Sequence, residues 1–308
     1  MIKGSIMMNE LSEKILKLKK EKNAIILAHL YQIPEVQEIA DYVGDSYYLS
    51  QVARDAKEDL IIFCGVKFMA ESAKVLSPDK TVILPAPNAG CPMADMAEVE
   101  DVEEMIKKYP DAFKVCYINS SYEVKALCDA SVTSSSALNI MNNIPNKQIL
   151  FLPDQNLGGY IAEFFPEKEF ILWRGFCPTH HRITAEDVLN AKQEHPNVKV
   201  LAHPECSKEV RELSDYLGST SGIIDYATKC EDNEFIIATE EGVLHQLQKK
   251  NPNKKFYFPE MMVCPNMKKT TLQDIYDALD GKREEVVLDE EIRQKALTSL
   301  ENMHKLGN

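Results

Sequence analysis

The chain has 308 residues, 44% hydrophobic and 27% charged, and its 35 basic and 48 acidic side chains leave a formal charge of −13. This is the composition of a globular protein with a sizeable core and about two domains by length; it argues against disorder, and the lack of a basic stripe with interleaved aromatics argues against nucleic-acid binding. Apolar runs are only strand-sized, so no membrane span is expected, and the Lys-rich start has no secretory apolar core, so the eight cysteines read as reduced thiols or metal ligands of a cytoplasmic protein.

Residues 11–22 alternate Lys with apolar side chains, as an amphipathic helix does. Residues 24–28 are continuously apolar and predict a strand, and Pro34 suits the first turn of a helix reaching about residue 40. A short strand at 42–43 comes next, then a helix over 47–56 with Ser46 as its cap and a third strand at 60–63. A helix over 69–76 and a strand at 81–84 lead into a loop holding Cys91. The same order recurs with strands at 114–117, 149–152 and 170–172, and again at 198–202, 235–238 and 256–258. Thr184-x-x-Asp187 and Thr271-x-x-Asp274 have capping-box spacing and open new helices, and residues 289–306 form a last amphipathic helix with a packing role. Continuous apolar strands alternating with helices imply parallel sheets covered on both faces.

The recurrence is also written in the letters. HLYQIPEVQEIADYVGDS opens at His29, YINSSYEVKALCDASVTS at Tyr117 and HPECSKEVRELSDYLGST at His203, 88 and 86 residues apart. Glu35-Val36, Glu123-Val124 and Glu209-Val210 align without gaps, as do Asp41, Asp129 and Asp215, and Ser46, Ser134 and Thr220. Each copy continues into a Cys-Pro pair, Cys91-Pro92, Cys177-Pro178 and Cys264-Pro265, at 62, 60 and 61 residues from its start. Chance would supply about 0.4 such pairs among eight cysteines. A period this long is a triplicated small domain rather than a solenoid unit. The expected fold is α/β, with homologous domains over residues 1–96, 97–183 and 184–270 and C-terminal helices over 271–308. Each domain is a parallel sheet of about four strands flanked by helices, and the three are arranged with pseudo-threefold symmetry around a central site.

Ligands of open parallel sheets bind beyond the carboxyl ends of the strands. The repeated polar residues lie there: His29 and Tyr31, Tyr117 and Asn119, His203 and Glu205, with Ser46, Ser134 and Ser219-Thr220 at second-helix starts. Three thiolates from three domains make a soft metal site, one short of a closed four-Cys zinc or [4Fe–4S] site. An iron left open in such a cluster is a Lewis acid. Buried cysteines in turns are the bland alternative, and they do not explain the threefold register. The aligned aspartates read as turn residues and the aligned glutamates as exposed helix positions.

With these residues in hand, the chain resembles the quinolinate synthase family over nearly its whole length, on AHLYQIPEVQEIADYVGDS, GCPMADM, CYINSSYEVKALCDASVTSSSA, GFCPTH, HPEC, GSTSG and CPNMKKTTL. The resemblance implies a cytoplasmic transferase of NAD biosynthesis that condenses iminoaspartate with dihydroxyacetone phosphate to quinolinate, phosphate and water. It also implies three similar α/β domains around a [4Fe–4S] cluster held by Cys91, Cys177 and Cys264, with one iron open to substrate. His29, Ser46, Tyr117, Asn119, Ser134, His180, His203, Glu205, Ser219 and Thr220 are then the substrate shell, and Tyr31, His203 and Glu205 the proton shuttles. An L-aspartate oxidase or aspartate dehydrogenase would supply iminoaspartate through transient contact. Ser136 departs from the family's TSSNA stretch, where Asn is expected. Cys64, Cys116, Cys128, Cys206 and Cys230 read as ordinary thiols, with Cys206 noted for its place beside Glu205. His181 and His195 read as surface residues, and Lys229 as a solvated lysine or a mobile active-site cation. An iron–sulfur hydroxy-acid dehydratase and a metal or redox sensor are the rival readings.

Overall fold

The computed structural model of the chain describes residues 10–259 and 262–307. Its first stretch runs α1 (Glu10–Glu21), β1 (Ala24–His29), α2 (Pro34–Ile39), β2 (Tyr42–Gly44), α3 (Ser46–Asp55), β3 (Leu60–Cys64), α4 (Lys67–Leu76) and β4 (Thr81–Ile83). The second runs α5 (Val99–Lys108), β5 (Phe113–Tyr117), α6 (Tyr122–Ala126), β6 (Ala130–Val132), α7 (Ala137–Asn142), β7 (Gln148–Leu152), α8 (Gln155–Phe164) and β8 (Glu169–Leu172). The third runs α9 (Pro178–His181), α10 (Ala185–Glu194), β9 (Lys199–Ala202), α11 (Lys208–Glu212), β10 (Tyr216–Leu217), α12 (Thr220–Lys229), β11 (Glu234–Ala238), α13 (Val243–Lys250) and β12 (Lys255–Tyr257). Two helices close the chain, α14 (Leu272–Leu279) and α15 (Glu290–Leu306).

The three stretches form three four-stranded parallel sheets of one topology, β2-β1-β3-β4, β6-β5-β7-β8 and β10-β9-β11-β12. The fold class expected from the repeat is therefore observed. Val36, Val124 and Val210, the aligned valines, are fully buried, each worth about 1.5–3 kcal/mol of apolar burial. The aligned aspartates are structural. Asp41, Asp129 and Asp215 each accept the backbone N–H of the facing residue on the first strand, Ile26, Lys114 and Val200, at 2.8 Å. Each returns its own N–H to that residue's carbonyl, at 2.9, 2.8 and 2.8 Å. The carboxylate thus extends a short edge strand by one rung. Asp129→Ala should cost about 1–2 kcal/mol by stranding that N–H, with Asp129→Asn milder, both read from the urea midpoint.

By contacts the chain divides into two units, one of residues up to Gly90 with Pro265–Leu288, the other of Cys91–Cys264 with the residues from Asp289 onward. In the first unit, α14 joins α1 on the sheet, and Ile275, Ala278 and Leu279 share a core with Ile15, Ile26, Ile62 and Ile83. In the second, α15 lies on α6 and β6 with Ser299, Leu300 and Met303 buried, and Asn302 Nδ2 donates to Asp129 O at 2.8 Å. Both predicted capping boxes are present, Thr184 with Asp187 and Thr271 with Asp274. The α3 cap is Asp45 rather than Ser46, because Asp45 is the last extended residue and its carboxylate accepts from Tyr48 N–H at 3.0 Å. Ser134 lies in the turn before α7, not at its start. Ser136 closes that turn by accepting from Thr133 N–H at 3.0 Å, so a hydroxyl serves where the resemblance expects Asn. No helix among the described residues is long and apolar enough to cross a membrane.

Candidate active site and metal centre

Each Cys-Pro loop is tied to a residue just beyond the third strand of its sheet, at the start of the next helix in the first two copies and two residues before it in the third. Lys67 N–H donates to Ala89 O at 2.8 Å, Gln155 N–H to Gly175 O at 2.8 Å, and Glu241 N–H to Met262 O at 2.9 Å. Every one of those carbonyls lies two residues before a Cys-Pro pair, so the sequence register is a hydrogen-bond register as well. Gly175 is required at its tie, because a Cβ there would sit 2.4 Å from Pro153 O. Proline then sets the first helical turn: Cys177 is the N-cap of α9 with Pro178 at N1, and Asp95 N–H reaches Cys91 O at 3.1 Å. A cysteine so placed offers its sulfur to free backbone N–H groups, as Cys91 does with Ala94 and Cys177 with His180. Glu240, fully buried after β11, accepts from Cys264 N–H at 3.0 Å and Gly242 N–H at 2.7 Å, fixing the third loop.

In the second unit the strand ends deliver a buried polar web centred on Glu205. Tyr117, the last residue of β5, donates its hydroxyl to Glu205 Oε1 at 2.7 Å, and His180 Nδ1 lies 2.8 Å from Oε2. Asn156 Nδ2 donates to Glu205 O at 3.1 Å, while buried Arg211 donates to Asn156 O at 3.0 Å. Burial is the largest influence on Glu205 and opposes ionisation; His180 and His203, with the hydrogen bonds from His180 and Tyr117, outweigh it and hold the carboxyl below the usual range. Burial pushes the His203 imidazole down to about 4, so that ring is neutral near pH 7. His203 Nδ1 accepts Glu205 N–H at 3.2 Å, which places its proton on Nε2, 3.1 Å from Ser134 Oγ. His180 lies 4.9 Å from His203 ring to ring, and its Nε2 is 3.0 Å from Thr239 Oγ1.

The structure thus gathers Tyr117, Ser134, His180, His203 and Glu205 of the expected shell. Asn119 leaves its Oδ1 buried with no hydrogen-bond partner among the described residues, an acceptor open to a ligand. Ser219 caps α12 by accepting from Gly222 N–H at 3.1 Å, and Thr220 is buried beside it. In the first unit His29 repeats the His203 turn, with Nδ1 accepting Tyr31 N–H at 3.1 Å and the two rings edge to face at 4.6 Å. Ser46 lies there in the first turn of α3.

Three residues of this region carried no expectation: Asp154, Thr239 and Glu240. Asp154 is fully buried, caps α8 through Oδ1 at 2.7 and 3.1 Å, and leaves Oδ2 unpartnered among the described residues. Burial, then the Glu205 charge, pushes its carboxyl well above the usual range. Pro153-Asp154-Gln155 and Thr239-Glu240-Glu241 stand at equal distances from Tyr117 and His203, a repeat signal that Gly65-Val66 of the first copy does not share. A second threefold position, Gln37, Lys125 and Arg211, is buried in every copy. Gln37 donates to Leu30 O and Gln32 O, and Lys125 to Ser120 O, securing the strand-end loops.

The thiols separate into two kinds. Cys64, Cys116, Cys128 and Cys206 are buried, and Cys206 turns its sulfur to Ala238 O at 3.5 Å, inside a core cluster. Cys230 donates to Asp232 at 3.2 Å near the surface, and Lys229 is exposed. His181 is exposed, whereas His195 is half-buried because its ring stacks on Tyr257 at 3.6 Å. Cys91, Cys177 and Cys264 keep accessible surface, yet burial followed by the Glu205 charge pushes Cys177 well up, and burial with that same charge among its neighbours takes Cys91 to about 12. That combination describes groups lining a recess. Cys264 also bears on Cys91, and Cys91 on Cys177, so the three share one electrostatic neighbourhood. Thiols crowded against a carboxylate ionise together only with a cation among them, and this donor set fits a soft metal centre. Cys177, His180 and Glu205 also place one donor atom each within 4.8 Å of one another.

Residues 13–305 match the family described as quinolinate synthetase A protein. The chain belongs to that family. The quinolinate synthase of Clostridioides difficile (strain 630) is 60% identical over 299 residues, 97% of this chain and 98% of that one. That of Caldicellulosiruptor bescii is 56% identical over 298 residues, covering 96% and 98%, and that of Clostridium acetobutylicum 54% identical over the same length and shares. Membership in the quinolinate synthetase A protein family spans both units, the three Cys-Pro loops and the Glu205 web.

Proposed function

We propose that this chain is a quinolinate synthase of NAD biosynthesis, condensing iminoaspartate with dihydroxyacetone phosphate to quinolinate with release of phosphate and water. The observation that carries the reading is the meeting of Cys91, Cys177 and Cys264 in one neighbourhood with an ionised carboxylate, Glu205, that two other side chains already orient. The three thiols would hold a [4Fe–4S] cluster, which when bound supplies a Lewis-acidic iron for a substrate hydroxyl or carboxylate.

The protein's own groups divide the remaining work. Glu205, ionised and buried, accepts a proton at Oε2, and Tyr117 restrains its other oxygen. His203 offers a neutral Nε2–H donor beside the Ser134 hydroxyl, suited to substrate oxygens. Asn119 contributes an open amide oxygen, and the α12 start with Ser219 and Thr220 contributes N–H and hydroxyl groups suited to an anion. His29, Tyr31 and Ser46 keep the substrate roles that the family likeness implies, with Tyr31 a second proton carrier. A deeply buried, hydrogen-bonded site of this kind excludes water from imine intermediates that hydrolyse readily.

An anaerobic assay of iron- and sulfide-replete protein with both substrates should yield quinolinate, and omission of either should abolish it. Replete protein that forms none would defeat the proposal. A hydroxy-acid dehydratase would instead turn over a single hydroxy acid.

A further inference from the structure

We propose that, in the iron-free chain, Cys177 Sγ, His180 Nδ1 and Glu205 Oε2 form a site for one zinc-like divalent ion, and that an ion bound there withholds Cys177 from cluster assembly. The second half rests on the proposed iron–sulfur function; the first stands on the geometry alone. His180 Nδ1 is 3.2 Å from the Cys177 sulfur and 2.8 Å from the Glu205 oxygen, and all three donors lie within 4.8 Å of one another. Tetrahedral zinc with bonds of about 2.0–2.3 Å spaces its ligand atoms roughly 3.3–3.7 Å apart, so closing on an ion asks only for small side-chain adjustments.

The donor chemistry is that of zinc rather than of a hard cation: one sulfur, one imidazole nitrogen and one carboxylate oxygen, with a fourth position left for water. His180 is 1% exposed and Glu205 4%, so bulk water competes poorly for the donors. Each of these two also has an outer partner of the sort that orients a metal ligand. Thr239 Oγ1 meets His180 Nε2 at 3.0 Å, which leaves Nδ1 for the metal, and the Tyr117 hydroxyl holds Glu205 Oε1 at 2.7 Å, which leaves Oε2. On binding, the Cys177 thiol gives its proton to solvent and its sulfur to the ion. Zinc binds such donor sets more tightly than ferrous iron. Because Cys177 is shared between this trio and the three-cysteine set, the two occupancies exclude one another.

The test uses the full chain, purified reduced and iron-free under anaerobic conditions, titrated with cobalt(II) and then zinc(II). One equivalent per chain is expected, with a tetrahedral cobalt spectrum carrying a thiolate charge-transfer band. His180→Ala should weaken binding at least 100-fold, and Thr239→Val roughly 10-fold through the imidazole it orients. Should His180→Ala fail to fold by circular dichroism, Thr239→Val decides the matter. Cys91→Ala and Cys264→Ala should leave affinity within about twofold. No uptake by the wild-type chain, or uptake lost in either of those two cysteine variants, overturns the site. Zinc-loaded protein should take up several-fold less iron and sulfide than zinc-free protein; equal uptake overturns the competition. A zinc-free chain that takes up no iron sinks the cluster reading and the competition together, while the ion site stands on its own titration.

Discussion

Cys91→Ala, Cys177→Ala and Cys264→Ala are each expected to give folded protein without iron or acid-labile sulfide and without turnover. Cys91 and Cys177 open helical turns, and all three cysteines follow a loop held by a backbone hydrogen bond from the segment just beyond the third strand of a sheet. Removing one sulfur leaves a two-thiol set that cannot hold a four-iron cluster. Loss of fold is not expected, because the three side chains are only partly buried and alanine leaves the loop hydrogen bonds in place. Cys230→Ala, which removes a surface sulfur bonded to Asp232, should retain full iron content. Iron and sulfide per chain, with a thermal melt for fold, decide the question. Iron content unchanged in all three variants would refute the ligand set.

Glu205→Gln should lower kcat by about 10²–10⁴-fold, the range for loss of a positioned acid–base group, equivalent to roughly 3–5 kcal/mol in the barrier. The amide matches the carboxylate in shape and can still accept from Tyr117 at Oε1, but its N–H₂ then faces His180 Nδ1 where the carboxylate accepted. His180 can answer by moving its proton to Nε2 and donating to Thr239, so the web closes and the charge alone is lost. Cluster content and thermal midpoint should therefore stay near wild type while turnover falls. A kcat within threefold of wild type would remove Glu205 from the chemistry. Tyr117→Phe, which frees one carboxylate oxygen without neutralising it, should have the smaller effect.

These expectations draw on levels of organisation that were unequally legible. The aligned aspartates were readable as structural because a carboxylate before a short strand has a local task, and Asp41, Asp129 and Asp215 perform it identically. Thr184 and Thr271 announced their helices for the same reason, since both partners of a capping box lie within one turn. Ser46 was misjudged as a cap because Asp45 beside it is an equally good acceptor and only the backbone angles select between them. Asp154, Thr239 and Glu240 escaped notice because the first copy carries Gly65-Val66 there, which breaks the pattern a threefold comparison seeks.

The letters alone determined the parallel sheets, their threefold recurrence and the cysteine register, because these follow from short-range periodicity and from repetition that one gene segment imposes three times; the strand order within each sheet came from the structure. Tertiary structure decided where the last two helices go: α14 onto the first unit's sheet and α15 onto α6 and β6. It also decided that His180 stands between a sulfur, a carboxylate and a hydroxyl supplied by Cys177, Glu205 and Thr239. Cys177 is a local neighbour of His180, but Glu205 and Thr239 come from distant parts of the chain, and the free energy of those meetings comes from burying surfaces that match only once the sheets have formed. No local pattern encodes that match.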